Sequence, residues 1–163
     1  MRSDTGQHRR RPILVAAGAA ALVGLIGGAA TDVGPWYQAL EKPALNPPDW
    51  AFPLGWTAIY ALCVISAVTA WRDSTSTSQR NWLISLFFVN AVLNIAWSFL
   101  FFTLRRPDWA LAEVATLWLS VAALIGLFWT FSRPAALLLL PYIAWVSFAA
   151  YLNLAVVQLN APF

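Results

Sequence analysis

The chain holds little of what most enzymes use. Among its 163 residues there is one cysteine, one histidine and one methionine, and only 10% of residues are charged. Cys63, alone within an apolar run, excludes a disulfide framework, a thiolate metal cluster and a redox pair; what remains is a small packing residue. His8 stands isolated in a polar N-terminal arm, so neither imidazole metal binding nor a histidine general base has support. No Ser/His/Asp set, phosphate-cradling glycine loop or basic-aromatic nucleic-acid motif is present, and nucleic acid is not an expected partner. The net charge of +3 comes mostly from the N-terminal arm and reads as a topology signal or a lipid-headgroup contact. Strict apolar/polar alternation is missing too, which argues against a β-barrel.

What the chain has in excess is apolar length. It is 60% hydrophobic, above the share of a soluble domain. Five apolar runs, at residues 13–30, 54–71, 82–104, 109–131 and 135–159, approach or exceed the ~20 residues that cross a bilayer as helix. Backbone groups in hydrocarbon must pair internally, so the fold class expected is an all-α bundle of five transmembrane helices. Five crossings leave the termini on opposite sides. Arg2, Arg9, Arg10, Arg11, Arg72, Arg80 and Arg133 then fall on one side, against Lys42, Arg105 and Arg106 on the other. Because Lys and Arg resist translocation, the N-terminus is expected inside and the C-terminus outside the cytoplasmic membrane. The arginine cluster, the first apolar run and the small residues after it also imitate a cleavable signal peptide. Retention is the preferred reading, since the run nears spanning length and carries Gly24-x-x-x-Gly28, a spacing that lets helices approach closely.

Along the chain, residues 1–12 read as a polar, disordered arm. The loop at residues 31–53 is the one connection long enough for a lid, and it is dense in proline and tryptophan. Trp36 and Trp50, with Trp56 just beyond, lie among Pro35, Pro43, Pro47, Pro48 and Pro53, a backbone suited to neither regular helix nor sheet ladder. The remaining connections are short, with prolines 107 and 134 placed to start helices. No half of the chain repeats the other, which disfavours an inverted-repeat transporter.

Polar side chains inside apolar helices usually face the bundle interior. Asn90, Asn94 and Trp97 follow i, i+4, i+7 and share a face that continues to Phe101. Trp56, Tyr60 and Cys63 share another, and Tyr142, Trp145, Ala149 and Asn153 a third, with Ala149 a gap among bulky neighbours. Together these faces describe either an ordinary aromatic core or a pocket for a large planar apolar ligand held by stacking and one or two hydrogen bonds. Glu113, the single carboxylate within a spanning run, either binds a cation or proton or simply benefits from the nearby helix N-terminus; the second reading is preferred.

The strings WYQALEKPALNPPDWAFPLGWTAIYA from Trp36, NAVLNIAWSFLFF from Asn90, ALAEVATLW from Ala110 and PYIAWVSFAAYLNLAVVQLN from Pro141 resemble the tryptophan-rich sensory protein (TspO/MBR) family in order, spacing and tryptophan placement. The resemblance covers all five runs and treats residues 1–163 as one integral membrane domain. It implies a five-helix bundle, commonly a homodimer in the lipid bilayer, whose first loop closes over a pocket for porphyrins such as protoporphyrin IX, haem-related compounds, sterols and synthetic isoquinolines or benzodiazepines. Carried over by motif, the ligand-contacting residues are Trp56, Tyr60, Asn94, Trp97, Trp145, Ala149 and Asn153, to which Asn90, Tyr142 and the loop residues Trp36, Tyr37 and Trp50 are added. Porphyrin is then a ligand, with no obligatory cofactor and no metal. The implied function is a receptor or sensor in tetrapyrrole regulation or transport. The rivals are light- and oxygen-dependent porphyrin degradation, with Trp56 and Trp145 implicated, and a structural or partner-binding membrane dimer. The sequence departs from the family at Asn90, where Gln is usual and reaches further, and at Leu154, where the animal sterol motif has its tyrosine; no Lys or Arg follows Tyr151.

Overall fold

The computed structural model describes residues 4–163, with side chains from residue 10 onward. Arg2, and the side chains of His8 and Arg9, lie outside the described residues. Five helices are long and apolar enough to cross a membrane, spanning Arg10–Ala30, Ala51–Asp73, Thr77–Thr103, Pro107–Trp129 and Arg133–Asn160. The protein is an integral, multi-pass, all-helical membrane protein. Helix α1 (Asp4–Ala30) begins well before the first apolar run, so the expected disorder of residues 1–12 does not hold from Asp4 onward. Gln and Arg are good helix formers, and the helix carries on through Pro12, which lacks the N–H for one backbone bond.

The loop that follows contains helix α2 (Pro35–Ala39), a single turn in a stretch whose proline density argues against regular helix. Pro35 sits at its N-terminal position, where the missing N–H would be unpaired anyway. Helix α3 (Ala51–Asp73) and helix α4 (Thr77–Ser98) are joined by three residues only, because Thr77–Arg80 belongs to the helix rather than to a turn. Ser76 and Gln79 form a capping box there, with Gln79 N–H donating to Ser76 Oγ and Gln79 Oε1 accepting from Ser76 N–H.

Two irregularities interrupt the expected helices. Span three ends in a π-turn (Phe99–Thr103), in which Leu104 N–H reaches the Phe99 carbonyl at 2.9 Å. Arg105 then takes φ 54°, letting Arg106 N–H return to the Leu100 carbonyl at 3.0 Å. Span five is broken into α6 (Arg133–Leu138) and α7 (Leu140–Asn160). Pro141 explains the break, since it offers no N–H and its ring crowds the carbonyl of Leu137. Between the two, α5 (Pro107–Trp129) starts at a proline with Asp108 in its first turn, where the carboxylate accepts from Arg106 Nε at 2.8 Å.

Helix α5 is the axis of the bundle, packed against α4 on one side and α6 and α7 on the other, while α1 lies outermost against α3 and α4. The inward face of α5 carries Val114, Leu117, Val121, Leu124 and Phe128, all buried, against Ala135, Ala136, Tyr142 and Val146. Ser66 Oγ donates to the Ala135 carbonyl at 2.7 Å and fixes α6 to α3. This packed side gives the rest of the bundle a firm wall.

Candidate functional site

On the other side of the bundle lies a cavity of about 700 Å³, within the ~300–1,000 Å³ range of small-molecule sites. Its walls come from α1, α3, α4, the π-turn and α7, with the first loop across one end; α5 contributes nothing to it. Small residues make the room. Ala21, Gly24, Gly27 and Gly28 line it from α1 and Ala149 from α7. Gly24 also lets the Tyr60 ring approach, since a Cβ there would lie 3.3 Å from Tyr60 Cε2. The Gly24-x-x-x-Gly28 pair thus serves packing and cavity within this chain.

Two aromatic groups face the cavity. Trp56 stacks on Tyr60 with centroids 5.6 Å apart and meets Trp145 edge-on at 6.1 Å. Trp97 lies 5.3 Å from Phe101, which with Phe102 and Tyr37 completes the second group. Phe101 and Phe102 both line the cavity, as the consecutive pairs Trp97–Ser98 and Phe148–Ala149 also do, so its wall takes in more than one face of each helix. Helical periodicity from Asn90 reaches Phe101 but not Phe102.

The amide and phenol groups expected to greet a ligand are already occupied, whereas the buried Trp145 Nε1 has no partner among the described residues. Tyr60 Oη donates to Asn94 Oδ1 at 2.8 Å, Asn94 Nδ2 to Tyr142 Oη at 3.4 Å, and Tyr142 Oη to Asn90 Oδ1 at 3.1 Å. Asn90 Nδ2 donates on to Ser120 Oγ at 2.8 Å, which ends on the Leu117 carbonyl at 2.7 Å. One direction of donation runs from the cavity wall to α5. Trp97 Nε1 donates separately to Asn153 Oδ1 at 3.1 Å, and Asn153 Nδ2 to the Pro107 carbonyl at 2.8 Å. Each bond contributes about 1 kcal/mol, but orphaning a buried partner costs ~1–3 kcal/mol, so these groups hold the wall rather than wait for a ligand. The shorter amide of Asn90 suits this role: it reaches Tyr142 and Ser120 and does not line the cavity.

The loop is tied down at a point the sequence did not advertise. Glu41 N–H donates to Asn160 Oδ1 at 2.8 Å while Asn160 Nδ2 donates back to the Glu41 carbonyl at 2.9 Å. A side-chain amide at the end of α7 thus pairs with loop backbone as a neighbouring strand would. Within the loop, Gln38 Nε2 donates to Asp49 Oδ2 at 2.9 Å. Tyr37 is buried over Phe102, with Lys42 Nζ 4.3 Å from its ring centroid. Burial, then the nearby Asp49 carboxylate, raise the Tyr37 phenol above its usual pKa, so it stays neutral.

Of the residues singled out from sequence, Tyr37, Trp56, Tyr60, Asn94, Trp97, Trp145, Ala149 and Asn153 line the cavity. Asn90 and Tyr142 sit behind its wall in the hydrogen-bond relay. Trp36 packs edge-on against Phe101 at 6.1 Å from outside, and Trp50 is 70% exposed at the loop's end. Glu113 is apart from the cavity, seven residues into α5 and beyond the first turn where a helix dipole acts. Its carboxylate oxygens are shielded and have no hydrogen-bond partner among the described residues.

Sequence comparison agrees with this architecture. The TspO/MBR family pattern matches residues 14–159. The chain is 37% identical over 125 residues to a tryptophan-rich protein TspO of Chlorobaculum tepidum, covering 77% of this chain and 79% of that one. It is 39% identical over 132 residues to a protein of the same name from Archaeoglobus fulgidus, covering 81% and 84%. With the translocator protein of Sus scrofa it shares 36% identity over 123 residues, 74% of this chain and 72% of that one. A match across nearly the whole chain, on a five-span bundle with a tryptophan-lined cavity, makes this protein a member of the TspO/MBR family.

Proposed function

We propose that the cavity binds a tetrapyrrole of the protoporphyrin IX type and that the protein acts as a membrane receptor or sensor for it. The observation that carries this reading is the pairing of large ring surfaces, Trp56, Tyr60, Trp97 and Trp145, with amide and phenol groups already engaged elsewhere, which leaves the buried Trp145 indole N–H as a donor without a partner among the described residues. A ligand held there gains chiefly from stacking and apolar contact, as a broad planar macrocycle does. Lys42, beside the lining residue Tyr37, supplies a cation near the loop for an acidic side arm, while Asp49 is held by Gln38. The bundle lies in the cytoplasmic membrane with its N-terminus inside, as the arginine distribution favours, and works as a homodimer.

Titrating protoporphyrin IX into the purified protein in the dark tests the reading. Saturable quenching of tryptophan fluorescence is expected; a linear, unsaturable decrease contradicts it. Absorbance followed under illumination separates receptor from degrading enzyme. A preserved porphyrin spectrum supports the receptor, and a new absorbing species that depends on Trp56 and Trp145 supports photo-oxidative degradation.

A further inference from the structure

Gly55 lies within α3, and its place there is not explained by backbone conformation, since no glycine among the described residues has positive φ. Glycine in a helix interior is disfavoured relative to alanine. Space is the reason for it. A Cβ at position 55 would lie 2.4 Å from Trp145 Cη2, 2.7 Å from Cζ2 and 2.9 Å from Cζ3. The six-membered ring of Trp145 occupies the volume any side chain at 55 would take. These are rigid ring atoms, not the end of a flexible chain.

The Trp145 indole has no other anchor of comparable strength. Trp97 is fixed by its bond to Asn153, but Trp145 Nε1 has no hydrogen-bond partner among the described residues. Its pose is set by contact alone, with Phe52 at 6.4 Å, Trp56 at 6.1 Å and Phe148 at 6.3 Å between centroids around it. The unfilled volume beside the ring is the cavity that it lines. A ring pushed off the α3 backbone therefore moves into that volume.

We propose that Gly55 is a specificity-determining residue: its missing side chain is a socket for the Trp145 indole, and the size of residue 55 sets the width of planar ligand that the cavity accepts. The ligand half of this proposal rests on the tetrapyrrole reading above, whereas the socket half rests on the geometry alone.

The test compares the full-length protein with Gly55→Ala and Gly55→Val, each made also in a Trp145→Phe background, where the shorter ring leaves room for a Cβ. Near-ultraviolet circular dichroism without ligand reads the indole pose. Affinity for protoporphyrin IX, followed by the porphyrin's own absorbance, and affinity for isoquinoline, a narrow bicyclic probe, read the width. Gly55→Ala should change the dichroism and weaken protoporphyrin IX about tenfold, as overpacking by one methyl group does. Gly55→Val should weaken it further, isoquinoline binding should hold, and in the Trp145→Phe background alanine should be neutral. Unchanged dichroism in Gly55→Ala, or the same loss of affinity in both backgrounds, would overturn the socket. Equal losses for both probes would overturn the selection by width. Should the parent bind no protoporphyrin IX, the tetrapyrrole reading fails, and the dichroism of the four variants still decides the socket.

Discussion

Where α5 meets α6 and α7, Leu117, Val121, Leu124, Phe128, Ala136 and Val146 fill the interior, whereas where α1, α3, α4 and α7 face one another the rings of Trp56, Tyr60, Trp97 and Trp145 border a cavity of about 700 Å³. Both regions are apolar and aromatic, and both follow helical spacing. What separates them is the placement of the smallest residues and of the amides. Gly24, Gly27 and Gly28 hold α1 open on the cavity side, and the relay from Tyr60 to Ser120 runs along the boundary, joining the cavity wall to the packed core. A cavity keeps its shape when the half behind it cannot yield.

The largest effect should come from emptying that packed half. Phe128→Ala, at a site with no exposure, should cost on the order of 3–5 kcal/mol in a reversible unfolding assay in detergent or bilayer, while ligand affinity of the folded fraction holds. Trp56→Ala reverses the pattern, with a smaller stability loss, because the ring already borders open volume, and with most of the binding gone. Equal stability losses in the two variants would erase the distinction between the regions.

Cutting the boundary comes next. Asn94→Leu removes the acceptor of Tyr60 and the donor to Tyr142, and thermal or denaturant unfolding should register a loss of ~1–3 kcal/mol. A variant as stable as the parent would show that the relay does not brace the wall. A gentler effect belongs to the loop. Asn160→Ala should speed amide hydrogen exchange at Glu41 about fivefold, the equivalent of ~1 kcal/mol from the lost pairing, with Asn160→Asp intermediate because it keeps the acceptor. Exchange that accelerates at Glu41 alone, and not across α2, would mean that the tie holds one residue rather than the loop. Smallest of all is Trp50→Ala, whose exposed ring should leave stability within ~0.5 kcal/mol and affinity unchanged.

The five spans, the loop over the site and most of the cavity's aromatic lining follow from apolar run length and from a period of 3.6 residues. Their ends do not, since caps such as Ser76 with Gln79, and the break at Pro141, shift a helix without altering its hydropathy. Periodicity places Asn90 and Tyr142 on the same faces as Asn94 and Trp145, yet only the second pair lines the cavity, because a face says nothing of depth. Phe102 escapes because it lies one residue off the face that Asn90, Asn94, Trp97 and Phe101 mark out, and the cavity is broad enough to take consecutive residues. Asn160 escapes because its partner is backbone 119 residues away. Gly55 escapes for a related reason, since the ring that needs its space belongs to another helix.

The most direct test is the dissociation constant of protoporphyrin IX for the parent, Trp56→Phe and Trp145→Phe, measured on samples with matched helical content. Loss of ring area at the cavity wall should weaken binding by about tenfold or more in each variant. Affinities equal to the parent's in both variants would contradict the account, because a ligand indifferent to those two rings does not sit in this cavity.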